Sequence, residues 1–337
     1  MISVGIIGAG RIGRVHVQSI TTRIPEAKVR MLADPYMNEA TRDWALSLGV
    51  QRVTKDYHEV LDDPEIEAVL ICSSTDTHAQ ISIEAILAGK HVFCEKPVDQ
   101  DAEKILEVMD VLKRHPVAYQ VGFNRRFDHN FRAVRRAVEE GRIGEPQIIR
   151  ICSRDPEPPK PEYVKVSGGM FLDMTIHDFD MARFLAGCDA TEVYASGACL
   201  IDPAIGEAGD IDTAVVTLTM ENGARCVIDN SRQAVYGYDQ RAEVFGSKGM
   251  VSSENDRPST VSVSTASGVT GDVPLHFFLE RYMDAYAEEV RSFLTSVEEG
   301  KEPAPGIEDG LKAVQMALAA KVSLREHRPV RMTELFQ

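Results

Sequence analysis

The chain has 337 residues, of which 37 are Lys or Arg and 52 are Asp or Glu, so its net charge is −15 at pH 7. This length exceeds what one hydrophobic core usually serves, and we expect two domains. Nucleic acid backbones and anionic lipid repel such an acidic chain, which makes nucleic acids and membranes poor partners.

The first third of the chain alternates short apolar runs with amphipathic stretches, which predicts βαβ units and a parallel sheet. The predicted helices are residues 12–19, 39–48, 78–88 and 102–113. The predicted strands are residues 4–7, 29–33, 69–72, 91–94 and 117–121. The pattern indicates a doubly wound α/β domain of the Rossmann type, which we place at residues 1–122.

After about Gly122 the pattern changes to helices followed by closely spaced strands, which we assign to a second domain at residues 123–337. We predict helices at residues 130–139, 170–185, 281–297 and 306–324. We predict strands at residues 147–152, 191–200, 213–220, 224–230, 241–245 and 261–264. Turn signals at residues 221–223 and 246–249 predict two hairpins. This half therefore reads as an antiparallel or mixed sheet with helices on one face.

The six cysteines are widely scattered, with neither a CxxC pair nor a Cys/His cluster at zinc-ligand spacing. We expect reduced thiols and no metal. The chain runs from Met1 directly into an apolar stretch and a Gly-rich turn, with no basic leader and no cleavage site, and no apolar stretch approaches membrane-spanning length. These features predict a cytoplasmic protein.

A GxGxxG run at residues 8–13 follows a predicted strand and opens a helix. Gly8 suits the tight turn, Gly10 lets the backbone approach a pyrophosphate, and Gly13 permits close packing of helix on strand. An ordinary strand–helix turn is the alternative. The predicted cofactor-binding residues of this run are Gly8, Gly10, Arg11, Ile12 and Gly13.

Asp34 lies 34 − 13 = 21 residues after the last of these glycines, at the end of the second predicted strand. An acid in this place binds the ribose 2′-hydroxyl of a dinucleotide. A carboxylate here also repels a 2′-phosphate, so NAD is favoured over NADP. Arg30 and Arg42 remain alternatives as phosphate ligands.

The loop at residues 73–78 follows the carboxyl end of a predicted strand, where ligands bind in open α/β sheets. Its side chains, including Ser73, Thr75 and His78, are candidate cofactor contacts. Alternatively, Asp76 or Thr77 caps the helix that begins near His78.

Glu95 and Lys96 end another predicted strand on the same side of the sheet, with Pro97 after them, and both are candidate cofactor contacts. A lysine ammonium there can hold a reacting hydroxyl and stabilise alkoxide character as hydride leaves. A surface lysine in a proline turn is the alternative.

Asp173 and His177 are spaced i and i+4, which places both on one face of the predicted helix 170–185. Dehydrogenation of an alcohol needs a base near neutral pH, and a histidine suits this role. An adjacent carboxylate can orient the imidazole or the substrate hydroxyl. The alternative is a helix whose acids cap its first turn and whose histidine packs in the interior.

Together these residues resemble the glucose-fructose oxidoreductase/inositol dehydrogenase (Gfo/Idh/MocA) family along essentially the whole chain. The Glu-Lys-Pro motif at residues 95–97 and the DxxxH pattern at residues 173–177 are specific to this family. The Asn-Arg-Arg-Phe-Asp segment at residues 124–128 and the Tyr-Gly-Tyr-Asp segment at residues 236–239 narrow the resemblance to its inositol 2-dehydrogenase branch.

The resemblance implies a Rossmann domain followed by an α/β domain with a large open, mostly antiparallel sheet, through which a homotetramer assembles. It implies NAD-dependent oxidation of a cyclitol, most simply myo-inositol to 2-keto-myo-inositol. Lys96 would position substrate and act in catalysis, Asp173 would be the partner of His177, and His177 would be the acid/base. Substrate contacts would lie in a pocket between the domains, at Lys96, Asn124, Arg125, Asp155, Asp173, His177 and Tyr238.

Other functions remain open from the sequence. A scyllo-inositol or pyranose dehydrogenase would use the same residues, because polar pocket groups suit any dense array of hydroxyls. A non-catalytic NAD-binding regulator, or a glycoside hydrolase that uses NAD transiently, shares the fold. The regulator is disfavoured because Lys96, Asp173 and His177 are all present.

Overall fold

The computed structural model describes residues 1–336, and these form two compact units. The first unit comprises Met1–Phe127 and Met283–Val314, and the second comprises Asp128–Tyr282 and the chain from Gln315 onwards. These units differ from the domains that we predicted at residues 1–122 and 123–337. The difference arises because helix α12 (Met283–Glu299), late in the chain, packs on helix α1 (Arg11–Arg23) of the first unit.

The first unit contains a six-stranded sheet in the order β3-β2-β1-β4-β5-β6 with every pair parallel, which confirms the predicted doubly wound fold. Every residue of β1 and β4 is buried, because helices cover both faces of such a sheet. The strands are β1 (Ile2–Ile7), β2 (Ala27–Ala33), β3 (Arg52–Thr54), β4 (Ala68–Ile71), β5 (His91–Glu95) and β6 (Tyr119–Gly122). The helices that accompany them are α1, α2 (Glu39–Ser47), α3 (His58–Asp62), α4 (Thr75–Leu87), α5 (Ala102–Arg114), a 3-10 helix (Asn124–Phe127) and α12.

Strand β3 and the N-terminal cap of helix α4 differ from the predictions. The edge strand β3 was missed, because its three residues are exposed or half-buried and carry no apolar run. Helix α4 begins at Thr75, and its N-cap residue is Ser74, whose side chain makes no capping hydrogen bond. The prediction that Asp76 or Thr77 is the capping residue is therefore wrong.

The second unit is built on a seven-stranded sheet in the order β12-β11-β7-β10-β9-β8-β15. Only the β10–β7 pair is parallel, so the predicted mostly antiparallel sheet is confirmed. Its strands are β7 (Pro146–Arg154), β8 (Ala190–Ala198), β9 (Thr213–Met220), β10 (Arg225–Ser231), β11 (Asp239–Gly246), β12 (Gly249–Ser253) and β15 (Val330–Arg331). A separate exposed hairpin consists of β13 (Ser262–Thr265) and β14 (Gly268–Gly271).

Short and medium helices complete this unit. Both predicted hairpins are present, since β9 pairs with β10 and β11 pairs with β12. The helices are α6 (His129–Glu139), α7 (Pro161–Ser167), α8 (Met170–Asp173), α9 (Ile176–Ala186), α10 (Pro203–Glu207), α11 (Phe278–Arg281) and α14 (Met332–Leu335). Helix α13 (Ile307–Glu326) contributes residues to both units. Among residues 1–336, no helix combines the length and apolar character needed to span a bilayer.

The seven-stranded sheet has two unlike faces. Along β7, Ile149 and Ile151 are buried, whereas Ile148 and Arg150 are exposed. The same alternation runs through the neighbouring strands, as expected for a sheet with one face packed on helices. The other face carries exposed apolar side chains, namely Ile148, Tyr194, Val215 and Phe245.

Candidate functional site

The glycines of the first βα turn have three different environments. Gly8 has φ = +105°, and a Cβ there would lie 2.4 Å from the carbonyl oxygen of Cys72. A Cβ at Gly13 would lie 2.0 Å from the carbonyl oxygen of Gly8. Gly10 is exposed, with no atom within 4 Å of an added Cβ. The turn is therefore closely packed at Gly8 and Gly13 and open at Gly10, as a helix N-terminus that receives a pyrophosphate requires.

Asp34 lies directly beside this turn. Its Oδ2 accepts a hydrogen bond from the backbone N–H of Ala9 at 2.7 Å, and its Oδ1 accepts one from Tyr36 N–H at 2.7 Å. The carboxylate is thereby fixed at the carboxyl end of β2, next to the glycines. Arg11 is exposed and Ile12 half-buried at the start of α1, beside the same opening.

The loop after β4 is ordered by its own side chains. The hydroxyls of Ser73 and Thr77 are 2.7 Å apart, and the Thr77 hydroxyl donates to the carbonyl of Ser74 at 2.7 Å. Thr75 is half-buried in the first turn of α4. The loop lies at the carboxyl end of β4, the strand next to β1, so it shares the sheet edge of the glycine turn.

His78 is buried and connects two backbone segments. Its Nδ1 lies 2.8 Å from the carbonyl oxygen of Pro97, and its Nε2 lies 3.0 Å from that of Ser73. Both partners are acceptors, so both contacts are hydrogen bonds only when both ring nitrogens carry a proton. Burial lowers the pKa of His78, but Cys94 and the two carbonyls outweigh burial and raise the pKa to about 9. The structure thus gives His78 a supporting role: it ties the loop after β4 to the segment after Lys96.

This arrangement predicts a pH-dependent stability. The pKa of His78 rises from 6.5 to about 9 on folding, so its stabilisation is complete below pH 6.5 and is lost as the pH rises through 9. We expect the loss to be about 3 kcal/mol in the free energy of unfolding. Urea unfolding from pH 6 to 10 measures it. His78→Gln should flatten the decline, the exposed His276→Gln should leave it in place, and an equal decline in all three proteins would contradict the assignment.

Lys96 lies just after the carboxyl end of β5 and is half-buried. The preceding residue, Glu95, is buried, and its Oε1 lies 2.7 Å from Nε2 of His16. Glu95 pairs across the sheet with Gly122 of β6, and the 3-10 helix that follows β6 carries the buried Asn124 and Arg125. Lys96, Asn124 and Arg125 therefore follow neighbouring strands of the first unit.

In the second unit, Asp173 is held by two side chains. Its Oδ1 accepts a hydrogen bond from the Tyr163 hydroxyl at 2.9 Å, and its Oδ2 accepts one from Nη1 of Arg232 at 2.9 Å. Arg232 is 2 % exposed and lies 3.8 Å from Asp210. Burial lowers the pKa of Arg232, but Asp173, Asp155 and Asp210 together raise it, so this guanidinium stays charged.

Asp173 and His177 do not share one continuous helix, which corrects the predicted helix 170–185. Helix α8 ends at Asp173 and α9 begins at Ile176. Between them, the hydroxyl of Thr175 donates to Oδ1 of Asn230 at 2.7 Å within the core, and this bond anchors the break. His177 is half-buried in the first turn of α9.

The last two predicted substrate residues lie near β7 and β11. Asp155 follows β7 and is held through its backbone, which bonds to Ser231 and Ala234. Tyr238 precedes β11, is buried, and packs edge-on against Phe277 and Tyr282. The positive charge of Arg232 interacts with both Asp155 and Asp173.

The sequence reasoning missed Arg232 and Tyr163. Arg232 contacts a carboxylate 59 residues earlier in the chain, so no local spacing reports the pair. The available signal was weak: a buried arginine needs a nearby acid, but the sequence alone does not show that Arg232 is buried. Tyr163 gave no signal, because it lies in a short helix whose exposed residues resemble an ordinary loop.

Comparison with known proteins adds to this geometry. Residues 2–123 match the model of an oxidoreductase family with an NAD-binding Rossmann fold, and residues 131–252 match the GFO/IDH/MocA C-terminal domain. The chain is 52% identical over 326 residues to the uncharacterized oxidoreductase YrbE of Bacillus subtilis, covering 97% of this chain and 95% of that protein.

Two further relatives have more specific names. The chain is 48% identical over 332 residues to a myo-inositol 2-dehydrogenase of Thermotoga maritima, covering 98% of this chain and 99% of that protein. The fold also matches a crystal structure of scyllo-inositol dehydrogenase from Lactobacillus casei with bound NAD(H) and scyllo-inositol. That match has a TM-score of 0.91 and 32% identity and covers 99% of each chain.

Proposed function

The chain belongs to the Gfo/Idh/MocA family of NAD-binding oxidoreductases, and we propose that it oxidises myo-inositol to 2-keto-myo-inositol. The observation that carries this proposal is the 48% identity, over nearly the full length of both chains, to a protein named myo-inositol 2-dehydrogenase. The open space at Gly10 and the carboxylate of Asp34 beside it are the features that NAD requires.

The reaction removes a hydride from carbon and a proton from the attached oxygen, and a ketone forms. NAD, when bound, accepts the hydride. We propose that His177 takes the hydroxyl proton as general base, since an imidazole titrates near neutral pH. Lys96 then donates a hydrogen bond to the same oxygen and stabilises the negative charge that develops there.

Asp173 is proposed to orient His177 and the substrate. Its carboxylate is held by Tyr163 and by the buried Arg232, so it is fixed before substrate arrives. The substrate hydroxyls away from the reacting carbon are assigned to Asn124, Arg125, Asp155 and Tyr238. Amide, guanidinium, carboxylate and phenol groups offer both donors and acceptors, as a ring of hydroxyls needs.

A spectrophotometric panel tests the proposed function. The purified protein is given NAD or NADP with myo-inositol, scyllo-inositol, chiro-inositol or glucose, and NADH or NADPH formation is followed. We expect the highest kcat/KM with NAD and myo-inositol. A higher value with scyllo-inositol would move the assignment to that isomer, and the Lactobacillus casei structure is the reason for including it. No reduced cofactor with any substrate would contradict the proposal.

The preference for NAD over NADP is assigned to Asp34. The Asp34 carboxylate repels a 2′-phosphate and accepts hydrogen bonds from ribose hydroxyls. Asp34→Ser should therefore lower kcat/KM for NAD by about tenfold or more and reduce the ratio of kcat/KM for NAD to that for NADP. Steady-state kcat/KM for both cofactors measures the change. Asp43→Ser, on the exposed side of α2, is the matched control. Equal use of the two cofactors by the unaltered protein would refute the role of Asp34.

We further propose that the protein is a cytoplasmic homotetramer of inositol catabolism, with the outer face of the seven-stranded sheet as its interface. On this face Val215 is 47%, Phe245 44% and Ile148 39% exposed. Apolar side chains clustered on one sheet face favour burial against a second copy. The six thiols form no disulfide, as in a reducing compartment. Light scattering should give the mass of four chains, and a monomer would contradict this interface.

A further inference from the structure

A buried polar cluster includes the residue before Lys96 and lies where α1 and α12 pack against the first unit's sheet. It consists of His16 of α1, Glu95 of β5 and Glu289 of α12, whose potential ligand atoms all lie within 4.8 Å of one another. The three residues are 0%, 7% and 0% exposed. Two carboxyl groups buried this deeply cannot both be charged without compensation, because desolvation of each ion is costly.

The hydrogen bonds distinguish the two carboxyl groups. Oε1 of Glu95 lies 2.7 Å from Nε2 of His16, so this carboxylate has a donor. Neither oxygen of Glu289 has a hydrogen-bond partner, nor does Nδ1 of His16, among residues 1–336. A bare lone pair on Nδ1 costs less than a bare N–H, so we assign the ring proton to Nε2, which then donates to the Glu95 carboxylate.

Glu289 is then the group that must be neutral. Burial and the charge of Glu95 both raise its pKa well above the usual range. Two further titratable groups near the cluster are Cys72, whose pKa is raised by burial and by both carboxyl groups, and Tyr286, whose ring packs edge-on to His16. Neither supplies a positive charge.

The cluster is built into the strand that ends at Lys96. Glu95 immediately precedes Lys96, and its carboxyl group occupies space that Gly122 leaves open: a Cβ at Gly122 would lie 3.0 Å from Oε2 of Glu95. From the other side, Gln120 of β6 donates to the backbone carbonyl of Glu289 at 3.0 Å. The end of β5 is thus bonded to α1 through Glu95 and His16, and the bond from Gln120 holds α12, with Glu289, beside it.

We infer that Glu289 is a neutral carboxylic acid and that His16 and Glu289 are positioning residues for Lys96, acting through the Glu95 carboxylate. This inference rests on the proposed role of Lys96. The cluster contains one negative charge, on Glu95. Its geometry fixes the main chain at Lys96. Because rates fall steeply when a reacting group is misplaced by an ångström, loss of the cluster should slow hydride transfer.

The test compares Glu289→Leu with Glu289→Gln in the full-length protein with saturating NAD. The Leu variant should lower kcat by about tenfold or more, while its Kd for NAD stays within about twofold. Its deuterium isotope effect on kcat, with myo-inositol labelled at the oxidised carbon, should rise because hydride transfer becomes slower. Glu289→Gln, which is also neutral and has nearly the same shape, should restore most of kcat and the isotope effect.

Further variants keep the inference falsifiable. His16→Phe should lower kcat as Glu289→Leu does. His16→Gln, which keeps a donor for Glu95, should retain most of kcat. Glu298→Gln, at an exposed position of the same helix, is the control. A Leu variant with lower thermal stability but unchanged kcat and isotope effect would reduce the cluster to a structural role. A Glu289→Gln variant as slow as Glu289→Leu would show that Glu289 must be charged, which would overturn the assignment of a neutral acid.

Two measurements separate this inference from its alternatives. Stoichiometric metal in the unaltered protein, lost in Glu289→Leu, would make the cluster a metal site and overturn the proton assignment. Lys96→Met is assayed in parallel. If Lys96→Met keeps its turnover, the proposed catalytic role fails; if it is inactive while His16→Phe is normal, only the positioning inference fails.

Discussion

His177→Ala should lower kcat for myo-inositol oxidation by about 10²–10⁴-fold, the usual contribution of a general base. The reason is that the hydroxyl proton then has no acceptor of suitable pKa as the hydride leaves. The dissociation constant for NAD should change little, because the glycine turn and Asp34 that hold the cofactor are untouched. Steady-state kinetics and NAD titration by protein fluorescence measure the two quantities.

The pH dependence of kcat/KM gives a second test of the His177→Ala variant. The acid limb of kcat/KM should disappear in His177→Ala, since the group that must be deprotonated is gone. His276→Ala, an exposed histidine in a loop, should keep both the rate and the profile. An unchanged turnover in His177→Ala would remove the general-base assignment.

Lys96→Met should lower kcat by about 10²–10³-fold, the typical effect of removing a group that stabilises a developing oxyanion. Met keeps the length and apolar stem of the side chain and removes the charge and its donors. Lys96 is also a predicted cofactor contact, so a smaller loss in NAD affinity is expected. The discriminating quantity is kcat at saturating NAD and substrate.

Lys96→Arg should recover only part of this loss, because a planar guanidinium cannot replace a compact ammonium at a site of defined geometry. Lys113→Met, exposed in the last turn of α5, is the matched control. If Lys96→Met loses affinity for NAD but keeps kcat, Lys96 serves cofactor binding alone.

The sequence predicted the elements that local pattern determines. Apart from β3, the strands of the parallel sheet contain short apolar runs, and the glycines at 8, 10 and 13 with Asp34 have fixed spacing, so both are visible without a structure. Strand β3 was missed because sheet pairing with β2, and no pattern of its own, makes it a strand. The break between α8 and α9 was missed because the bond from Thr175 to Asn230 joins distant segments.

The same limit applies to the candidate site. Lys96, Asp173 and His177 were predicted from motifs, and their roles stay predictions. Arg232, which holds Asp173, was beyond local reasoning because its partners come from other parts of the chain. Glu289 was missed for the same reason: within α12 it looks like one of several acids, and only the packing against His16 and Glu95 shows that it is buried.

The most direct test of the central claim follows the hydrogen that is transferred. Myo-inositol carrying deuterium on its C2 carbon is oxidised with NAD, and the reduced cofactor and the product are analysed by mass spectrometry and NMR. The account predicts one deuterium in each NADH and an equal amount of 2-keto-myo-inositol. NADH without deuterium, a ketone at another carbon, or no NADH at all would contradict it.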